Sequence, residues 1–313
     1  MTDRPPRVSI AMPVYNAERY LPEAVNSILA QTFADFELVL CDNASTDGTE
    51  ELCRQYAATD CRVRYHRNRR NIGVAANFDL SSALCTATLV KWAASDDVLG
   101  PTCLEDCIEV LDHNPGVVLA VPRGRLIDSS SSLIDHAPGA LKPIEWPAEP
   151  LSRVQRYIDM LTTIESIGVM LCLHGLFRID PLPQRLTLRP YPMSDRETLL
   201  SALLAGRFKE TSRVSLFLRM HAASSGASIF DDPQKTWLTM NPEEPAPRLI
   251  FLWQHRTHRR LLSVLARANM RRRDRQALQA YYLYRVGRQI TLGKVAAAGW
   301  RFNQLLRDPS PSS

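Results

Sequence analysis

The stretch VSIAMPVYNAERYLPEAVNSILAQTFADFELVLCDNASTDGT, residues 8–49, decides the fold. It opens with an apolar run that predicts a buried strand, continues with helical spacing over residues 17–31, and reaches a second apolar run at residues 36–41. Buried strands that alternate with helices are typical of parallel sheets covered on both faces. The segment therefore predicts an α/β fold.

The same alternation continues along the chain. Further strands are predicted at residues 62–66, 88–93, 117–121, 171–178 and 208–218. Further helices are predicted at residues 46–58, 74–84, 101–113, 151–166 and 194–204. Residues 128–150 have no sustained period and are rich in Ser, Pro and Gly, which predicts a long loop. We therefore expect a mostly parallel sheet flanked by helices, with a helical appendage over residues 249–306.

The composition is that of an ordinary globular protein. The chain has 313 residues, 45% of them hydrophobic and 23% charged, so it can bury a full core. No apolar run approaches the roughly 18–20 residues of a membrane-spanning helix, and the N-terminal MTDRPPRVSI lacks a signal peptide's apolar core. We therefore expect a cytoplasmic protein. Seven cysteines without a CxxC pair argue against a disulfide framework or a zinc site.

The charge is unevenly distributed. Residues 248–308 hold 14 basic and 2 acidic side chains, a net charge of +12, so the total of +5 leaves −7 for the rest of the chain. Residues 255–276 place Leu261, Leu262, Val264 and Leu265 among arginines. This pattern predicts either an interfacial helix on an anionic membrane or a helix whose apolar side packs on the main domain or a second subunit. Nucleic-acid binding is disfavoured, because no recognition motif accompanies the charge.

Mostly polar residues follow four of the predicted strands, at the edge where open parallel sheets bind ligands. They are Pro13, Val14, Tyr15 and Asn16; Asp42, Asn43, Ala44, Ser45, Thr46 and Asp47; Asn68, Arg69, Arg70, Asn71 and Gly73; and Asp96 and Asp97. Four such strand ends on one edge predict a nucleotide pocket. The chain has neither GxGxxG nor GxxxxGK[ST], which argues against a dinucleotide oxidoreductase and a P-loop ATPase.

Asp96 and Asp97 form an adjacent acidic pair after the fourth strand. Two carboxylates so close repel each other and raise each other's pKa. A divalent cation would neutralise the pair and prefers such hard oxygen ligands. The alternative is a solvated turn in which Asp97 caps the following helix.

Three motifs together resemble the family 2 glycosyltransferases, which have the GT-A fold. They are the opening segment quoted above, NRRNIGVAANFDLSSA at residues 68–83, and KWAASDDVLGPTCLE at residues 91–105. The resemblance covers about residues 7–225, and the three motifs occur in the family's order and spacing. It implies a glycosyltransferase that uses a nucleotide-sugar donor, with UDP as the expected leaving group and Mn²⁺ or Mg²⁺ as the metal ion. Guanosine and thymidine sugars remain open as donors.

The resemblance also implies roles for individual residues. Asp42 would bind the nucleobase, and Arg70 and Asn71 would lie beside the base and the diphosphate. Asp96 would be the direct metal ligand with Asp97 in support, and His221 in FLRMHAASS would complete the metal shell. The full set of expected donor contacts is Pro13, Tyr15, Asn16, Asp42, Asn43, Arg70, Asn71, Ser95, Asp96 and Asp97.

The acidic motif departs from the family at one position. The family has Asp-x-Asp, and alignment on Pro101 places its first acid at Ala94. This loss favours an alternative from another class, a non-catalytic nucleotide-binding protein with a role in assembly or regulation. A nucleotidyltransferase on a related sheet is disfavoured, because PVYNAERY is not a lysine- and glycine-rich loop.

An inverting transfer needs a base that removes the proton of the acceptor hydroxyl. The segment from His174 to His221 looks like the family's acceptor side, where an acid at a helix start serves as base. Asp195 in YPMSDRETLL is that candidate, with Glu197 as the alternative and an N-terminal cap as its structural role. His174 could touch the acceptor, although a core or surface position is the ordinary reading.

The predicted organisation has four segments. Residues 1–122 form the nucleotide-sugar-binding half of a GT-A domain, residues 123–230 its acceptor-side half, residues 231–248 a linker, and residues 249–313 a basic helical region. The acceptor is left open as a sugar, a lipid-linked molecule or a small molecule.

Overall fold

The protein is described from a computed structural model. It describes residues 4–134, 143–161, 166–183, 186–191, 193–221, 233–243 and 253–291. Within these residues the chain forms one eight-stranded sheet flanked by helices.

Strands and helices alternate through the first half of the chain. They are β1 Val8–Val14, α1 Leu21–Leu29, β2 Phe36–Asp42, α2 Thr49–Thr59, β3 Val63–Arg67, α3 Val74–Ala83, β4 Leu89–Trp92, β5 Val98–Leu99, α4 Cys103–Asp112 and β6 Val117–Ile127. The second half is richer in helices. It contains α5 Pro150–Leu161, α6 Ser166–Leu173, β7 Leu176–Arg178, α7 Asp195–Ala205, β8 Arg207–Arg219, α8 Pro233–Met240, α9 Trp253–Arg267 and α10 Arg272–Thr291.

The strand order across the sheet is β3-β2-β1-β4-β7-β6-β8-β5. Strands β3, β2, β1 and β4 pair in parallel, whereas β7 is antiparallel to both β4 and β6. Strand β8 runs parallel to β6, and β5 closes the edge antiparallel to β8. The prediction of a GT-A-like, mostly parallel sheet is confirmed for the first four strands, and the second half adds antiparallel pairs.

The core lies on both faces of the first strands. Every residue of β1 and β2 is buried, which requires layers on both sides of the sheet. Helix α1 contributes Leu21, Ala24, Val25 and Ile28, whose spacing places them on one helical face.

One predicted strand is wrong. Residues 171–178 were expected to be a strand, but the helix α6 extends to Leu173 and β7 begins at Leu176. The stretch SIGVMLCL is apolar at nearly every position, so its periodicity cannot distinguish a buried helix from a buried strand. The helix packs against β6, α5 and α7, which explains why it is apolar all round.

The basic C-terminal region forms two helices within the described residues. Leu261 and Leu265 of α9 are buried together with Leu278 and Tyr282 of α10. Helix α9 packs on α7 and α10, and α10 packs on α5. The apolar side of the arginine-rich helix therefore packs inside the protein. In the part of the chain that the structure describes, no helix is both long enough and apolar enough to cross a membrane.

Candidate active site

The candidate site lies at the carboxyl ends of β1 and β4. These strands are neighbours, and β1 has β2 on its other side. The chain adds β2 and β3 on one side of β1 and then β4 on the other side. The strand order therefore reverses between β1 and β4, and open sheets form their ligand crevice at such a point. Tyr15 follows β1 and Ala94 to Asp97 follow β4, so both segments border the crevice.

The loops after β1 and β2 are tied together by hydrogen bonds. The Asn16 side-chain oxygen Oδ1 accepts a hydrogen bond from the Thr46 backbone amide at 2.8 Å. The Asn16 backbone amide donates to Ser45 Oγ at 3.0 Å. Glu18 accepts a bond from the Gly48 amide at 2.7 Å. Asn16 has a left-handed backbone with φ of +50°, which Asn tolerates better than most residues. Asn16 and the half-exposed Tyr15 thus stand at the crevice on a fixed loop.

Asp42 is the last residue of β2. Its side chain is fully buried, and Oδ1 accepts bonds from the Ser45 amide at 2.8 Å and the Ser45 hydroxyl at 2.6 Å. Oδ2 accepts a bond from the Tyr65 hydroxyl at 2.9 Å and lies 3.3 Å from Arg67 Nε. Asp42 thus fixes the turn that follows β2, and its contact with a nucleobase stays a prediction.

An amide network lies beside Asp42. Asn43 donates to Asn71 Oδ1 at 2.8 Å, and its own Oδ1 accepts bonds from Asn68 at 3.1 Å and from the Ile72 amide at 2.9 Å. Asn43 and Pro13 are buried, whereas Asn71 is partly exposed. Of the expected donor contacts in this part, Pro13 and Asn43 support the crevice from below, and Asn71 reaches its surface.

Arg70 lies on the surface and forms an ion pair with Glu243, which follows α8. The backbone of Met240 runs against Gly73, because a Cβ atom at Gly73 would lie 2.2 Å from the Met240 carbonyl oxygen. The end of α8 therefore lies against the loop of residues 68–73. This helix falls within residues 231–248, which were predicted to be a linker.

Asp96 and His221 meet at the crevice. His221 Nε2 lies 2.9 Å from Asp96 Oδ2, and both side chains are partly exposed. Ser95 and Ala94 beside them are also partly exposed. The structure thus brings together the two residues expected to bind the metal ion directly.

Asp97 has a different environment from Asp96. It is buried, and Oδ1 accepts a bond from the Arg219 amide at 2.8 Å. Burial, and then the charge of Asp96, raise the pKa of Asp97 to about 8. His174 Nδ1 lies 3.9 Å from Asp97 Oδ2, and burial lowers the pKa of His174 to about 4. Asp97 therefore supports the crevice from inside, and His174, whose side chain is 14% exposed, is neutral near pH 7.

The side chains at the crevice suit a divalent cation in type. Asp96 offers a carboxylate oxygen and His221 an imidazole nitrogen, the ligands that Mn²⁺ accepts. No group of three or more His, Cys, Asp or Glu side chains that could hold a metal ion occurs among the described residues. A metal ion here would need further oxygen ligands from a bound molecule.

Asp195 begins α7, and the side chain is partly buried. Burial raises its pKa. Glu197, the alternative base, is buried and accepts a hydrogen bond from the Tyr191 hydroxyl at 2.5 Å. Asp195 is thus the more available carboxylate of the two.

Sequence reasoning missed three residues around the acidic pair. Of Arg219, Tyr20 and Lys91, only Arg219 carries a sequence signal, its position two residues before His221. Lys91 is fully buried in β4 and donates a hydrogen bond to the His174 carbonyl oxygen.

The mixed sheet, its crevice and the acidic pair form an α/β architecture of the kind that binds nucleotides. The family model described as Glycosyl transferase family 2 matches residues 9–177. A glycosyltransferase of Nostoc sp., alr2836, is 31% identical over 238 residues, which cover 71% of this chain and 67% of that protein. The chain belongs to glycosyl transferase family 2.

Other relatives match over a smaller part. EpsE of Bacillus subtilis, a glycosyltransferase by name, is 38% identical over 35% of this chain, and the match spans 40% of EpsE. The chondroitin synthase of Escherichia coli is 32% identical over 46% of this chain, and the match spans 20% of that protein. The chain therefore spans less than half the length of these two relatives.

Solved structures share the fold. S. aureus TarS 1–349 in complex with UDP-GlcNAc aligns with a TM-score of 0.64 at 16% identity, over 89% of this chain and 72% of that chain. The mannosyltransferase PcManGT from Pyrobaculum calidifontis, in complex with GDP-Man and Mn²⁺, aligns with a TM-score of 0.52 at 17% identity, over 96% of this chain and 88% of that chain.

Proposed function

We propose that the protein transfers a sugar from a UDP-sugar to an acceptor hydroxyl, with inversion and with the help of Mn²⁺ or Mg²⁺. The observation that carries this proposal is the 2.9 Å contact between Asp96 and His221 at the crevice. Two such side chains from distant parts of the chain, at the edge where open sheets bind nucleotides, match the need for a metal ion beside a diphosphate.

Asp96 and His221 would hold the metal ion, and Asp97 would support Asp96 from inside. When bound, a divalent cation stabilises the negative charge that develops on a departing diphosphate. Asp97 would hold this loop in place through the hydrogen bond from the Arg219 amide, and it does not replace the acid that the family has at Ala94.

Tyr15, Asn16, Asn71 and Ser95 would contact the donor, because all four are at least partly exposed at the strand ends. Arg70 would contact the diphosphate, since it is the exposed cation of this loop that already binds a carboxylate. The solved neighbours include complexes with UDP-GlcNAc and with GDP-Man, so we propose UDP as the leaving group and test GDP beside it.

Asp195 would act as the base. A carboxylate at a helix N-terminus is held in a fixed direction, and its raised pKa makes it a better proton acceptor than an exposed aspartate. Its side chain receives no side-chain hydrogen bond among the described residues, whereas Glu197 is held by Tyr191. Asp195 would therefore remove the proton of the acceptor hydroxyl as the new glycosidic bond forms.

The acceptor we propose is a sugar hydroxyl of a growing saccharide, made at the cytoplasmic side of the cell envelope. Two of the relatives are named chondroitin synthase and hyaluronan synthase, which supports a polysaccharide product. A lipid-linked acceptor would fit the exposed arginines of α9 and α10, because such residues attract anionic headgroups.

The first test is the thermal stability of the purified protein with UDP, GDP and their sugars, in Mn²⁺, Mg²⁺ or EDTA. A ligand that binds the native state raises the melting temperature by mass action, so no acceptor is needed. We expect a metal-dependent shift with UDP or UDP-sugars. No shift with any nucleotide would contradict the proposal, and a shift without any transfer in a later acceptor screen would favour the non-catalytic alternative.

A further inference from the structure

We infer that Arg219 is the positioning residue that holds Asp96, Asp97 and His221 in one arrangement. This inference rests on the proposed function, because it concerns how the proposed metal-binding pair is kept in place. Arg219 is the last residue of β8 and is 3% exposed. Its burial beside two carboxylates distinguishes it from a surface arginine.

Arg219 contacts both members of the acidic pair in different ways. Its amide donates to Asp97 Oδ1 at 2.8 Å, and its Nε donates to the Asp96 carbonyl oxygen at 2.7 Å. The guanidinium therefore fixes the backbone of Asp96 and leaves the Asp96 carboxylate to His221. A salt bridge to the Asp96 carboxylate would instead have occupied the oxygen that the site needs.

The rest of the guanidinium is held by elements outside the acidic pair. One terminal nitrogen donates to the Asp128 carbonyl oxygen at 3.1 Å and to Ser131 Oγ at 2.9 Å, and the other donates to Glu23 Oε2 at 2.6 Å. Ser131 also donates to Glu23 Oε1 at 2.8 Å. The start of α1, the turn after β6 and the acidic pair thus meet on one planar cation.

Arg219 also reaches His221 through Tyr20. The Arg219 guanidinium carbon lies 4.7 Å from the centre of the Tyr20 ring, and this ring lies 4.8 Å from the ring of His221. A planar guanidinium can stack on an aromatic ring and donate in several directions at once, which a lysine ammonium cannot do. Arg219→Lys therefore keeps the charge and removes the geometry.

The test compares Arg219→Lys with a control on the same strand, Arg213→Lys. Arg213 lies in the middle of β8 and forms an ion pair with Asp106 of α4, not with the acidic pair. For each protein, the binding of UDP is measured by calorimetry in Mn²⁺ and in EDTA, and folding is checked by circular dichroism. Residues that orient metal ligands typically contribute about 10–100-fold in metal affinity. We expect Arg219→Lys to weaken Mn²⁺-dependent UDP binding by that factor, and Arg213→Lys to leave it unchanged.

A second variant tests the same role in case Arg219→Lys does not fold. Glu23→Gln removes the charge of the partly exposed partner of Arg219, and we expect about tenfold weaker Mn²⁺-dependent binding. A double-mutant cycle of Arg219→Lys with Glu23→Gln should be non-additive if both act on the same arrangement.

The outcomes separate the two proposals. If the unmodified protein binds no nucleotide in Mn²⁺, the proposed function fails. If it binds UDP with Mn²⁺ and both Arg219→Lys and Glu23→Gln bind equally well, only the role of Arg219 is overturned. Additive effects in the double-mutant cycle would likewise overturn it, because they would show that Arg219 and Glu23 do not act on the site as one arrangement.

Discussion

His221 Nε2 lies 2.9 Å from Asp96 Oδ2, although the two residues are 125 positions apart. The short strand β5 explains this proximity. Val98 of β5 pairs antiparallel with Phe217 of β8, and Leu99 pairs with Leu216. The residues just before β5 must therefore lie beside the residues just after β8. The ladder places the acidic pair next to the histidine without a long loop.

Asp96→Asn and His221→Gln are each expected to abolish the stabilisation by UDP in Mn²⁺. A ligand at 100 times its Kd stabilises the native state by about 2.7 kcal/mol, and this gain should vanish with the loss of either side chain. The measurement is the melting temperature with UDP and Mn²⁺ against UDP and EDTA. His113→Gln, at the exposed end of α4, is the matched control. A full Mn²⁺-dependent shift in both site variants would contradict the assignment.

Asp195→Asn should lower kcat by about 100–10,000-fold, the usual contribution of a positioned base, while the affinity for UDP stays unchanged. Activity is measured as release of UDP with the acceptor found by screening. Glu197→Gln is the comparison, and because it removes the charge that strengthens the hydrogen bond from Tyr191, it should reduce stability more than kcat. If Glu197→Gln is inactive and Asp195→Asn is active, Glu197 is the base.

The raised pKa of Asp195 has two opposite consequences. Burial raises this pKa, and a base works only when it is ionised. As the solution is acidified, the rate should therefore begin to fall at a higher pH than it would with an ordinary aspartate, whose pKa is about 3.9. Its ionised form is disfavoured in the folded state, so stability decreases as the pH rises through the unfolded and then the folded pKa. Asp195→Asn should therefore raise the melting temperature at neutral pH. A lower melting temperature would show that the carboxylate stabilises the fold.

The sequence predicted the parts of the site that depend on local pattern. The alternation of apolar strands and helices placed Tyr15 and Asp96 at the ends of β1 and β4, where the structure has them. The resemblance to the family pointed to His221. Such positions can be predicted because the strand pattern and the short motifs that mark them span only a few consecutive residues.

The remaining features depend on partners far along the chain. The sequence placed Asp42 at a strand end but could not show that its carboxylate bonds to Tyr65, 23 positions away, and lies beside Arg67. The role of Arg219 depends on Ser131 and Glu23, which lie 88 and 196 positions away along the chain. Burial of a polar group is set by such long-range contacts, which spacing cannot show.

Glu37→Gln should destabilise the sheet. Glu37 is buried in β2 and accepts bonds from Ser9 Oγ at 2.6 Å, from the Thr86 amide at 2.7 Å and from Arg64 at 2.6 Å. Hydrogen bonds to charged groups contribute about 1.5–3 kcal/mol, so we expect a loss of about 2 kcal/mol in the free energy of unfolding. The measurement is urea denaturation at neutral pH, with the exposed Glu51→Gln of α2 as control.

This effect should depend on pH with a definite sign. Burial would raise the pKa of Glu37, but the hydrogen bonds from Ser9, Thr86 and Arg64 outweigh burial and lower it. A lowered pKa stabilises the fold above the unfolded value of about 4.3, and this gain is lost as the pH falls through the folded value. The difference between Glu37→Gln and the unmodified protein should therefore shrink in acid. A difference that grows in acid would contradict the pKa direction.

Glu243→Gln should tighten nucleotide binding, because it frees Arg70. The two side chains form an ion pair, and both are more than half exposed, so the pair contributes at most about 1 kcal/mol. Loss of this competition would tighten UDP binding by up to about fivefold, whereas Arg70→Ala should weaken it. Calorimetry with UDP in Mn²⁺ measures both, and Glu109→Gln on the exposed side of α4 is the control. Equal binding by Glu243→Gln and Arg70→Ala would show that Arg70 does not contact the diphosphate.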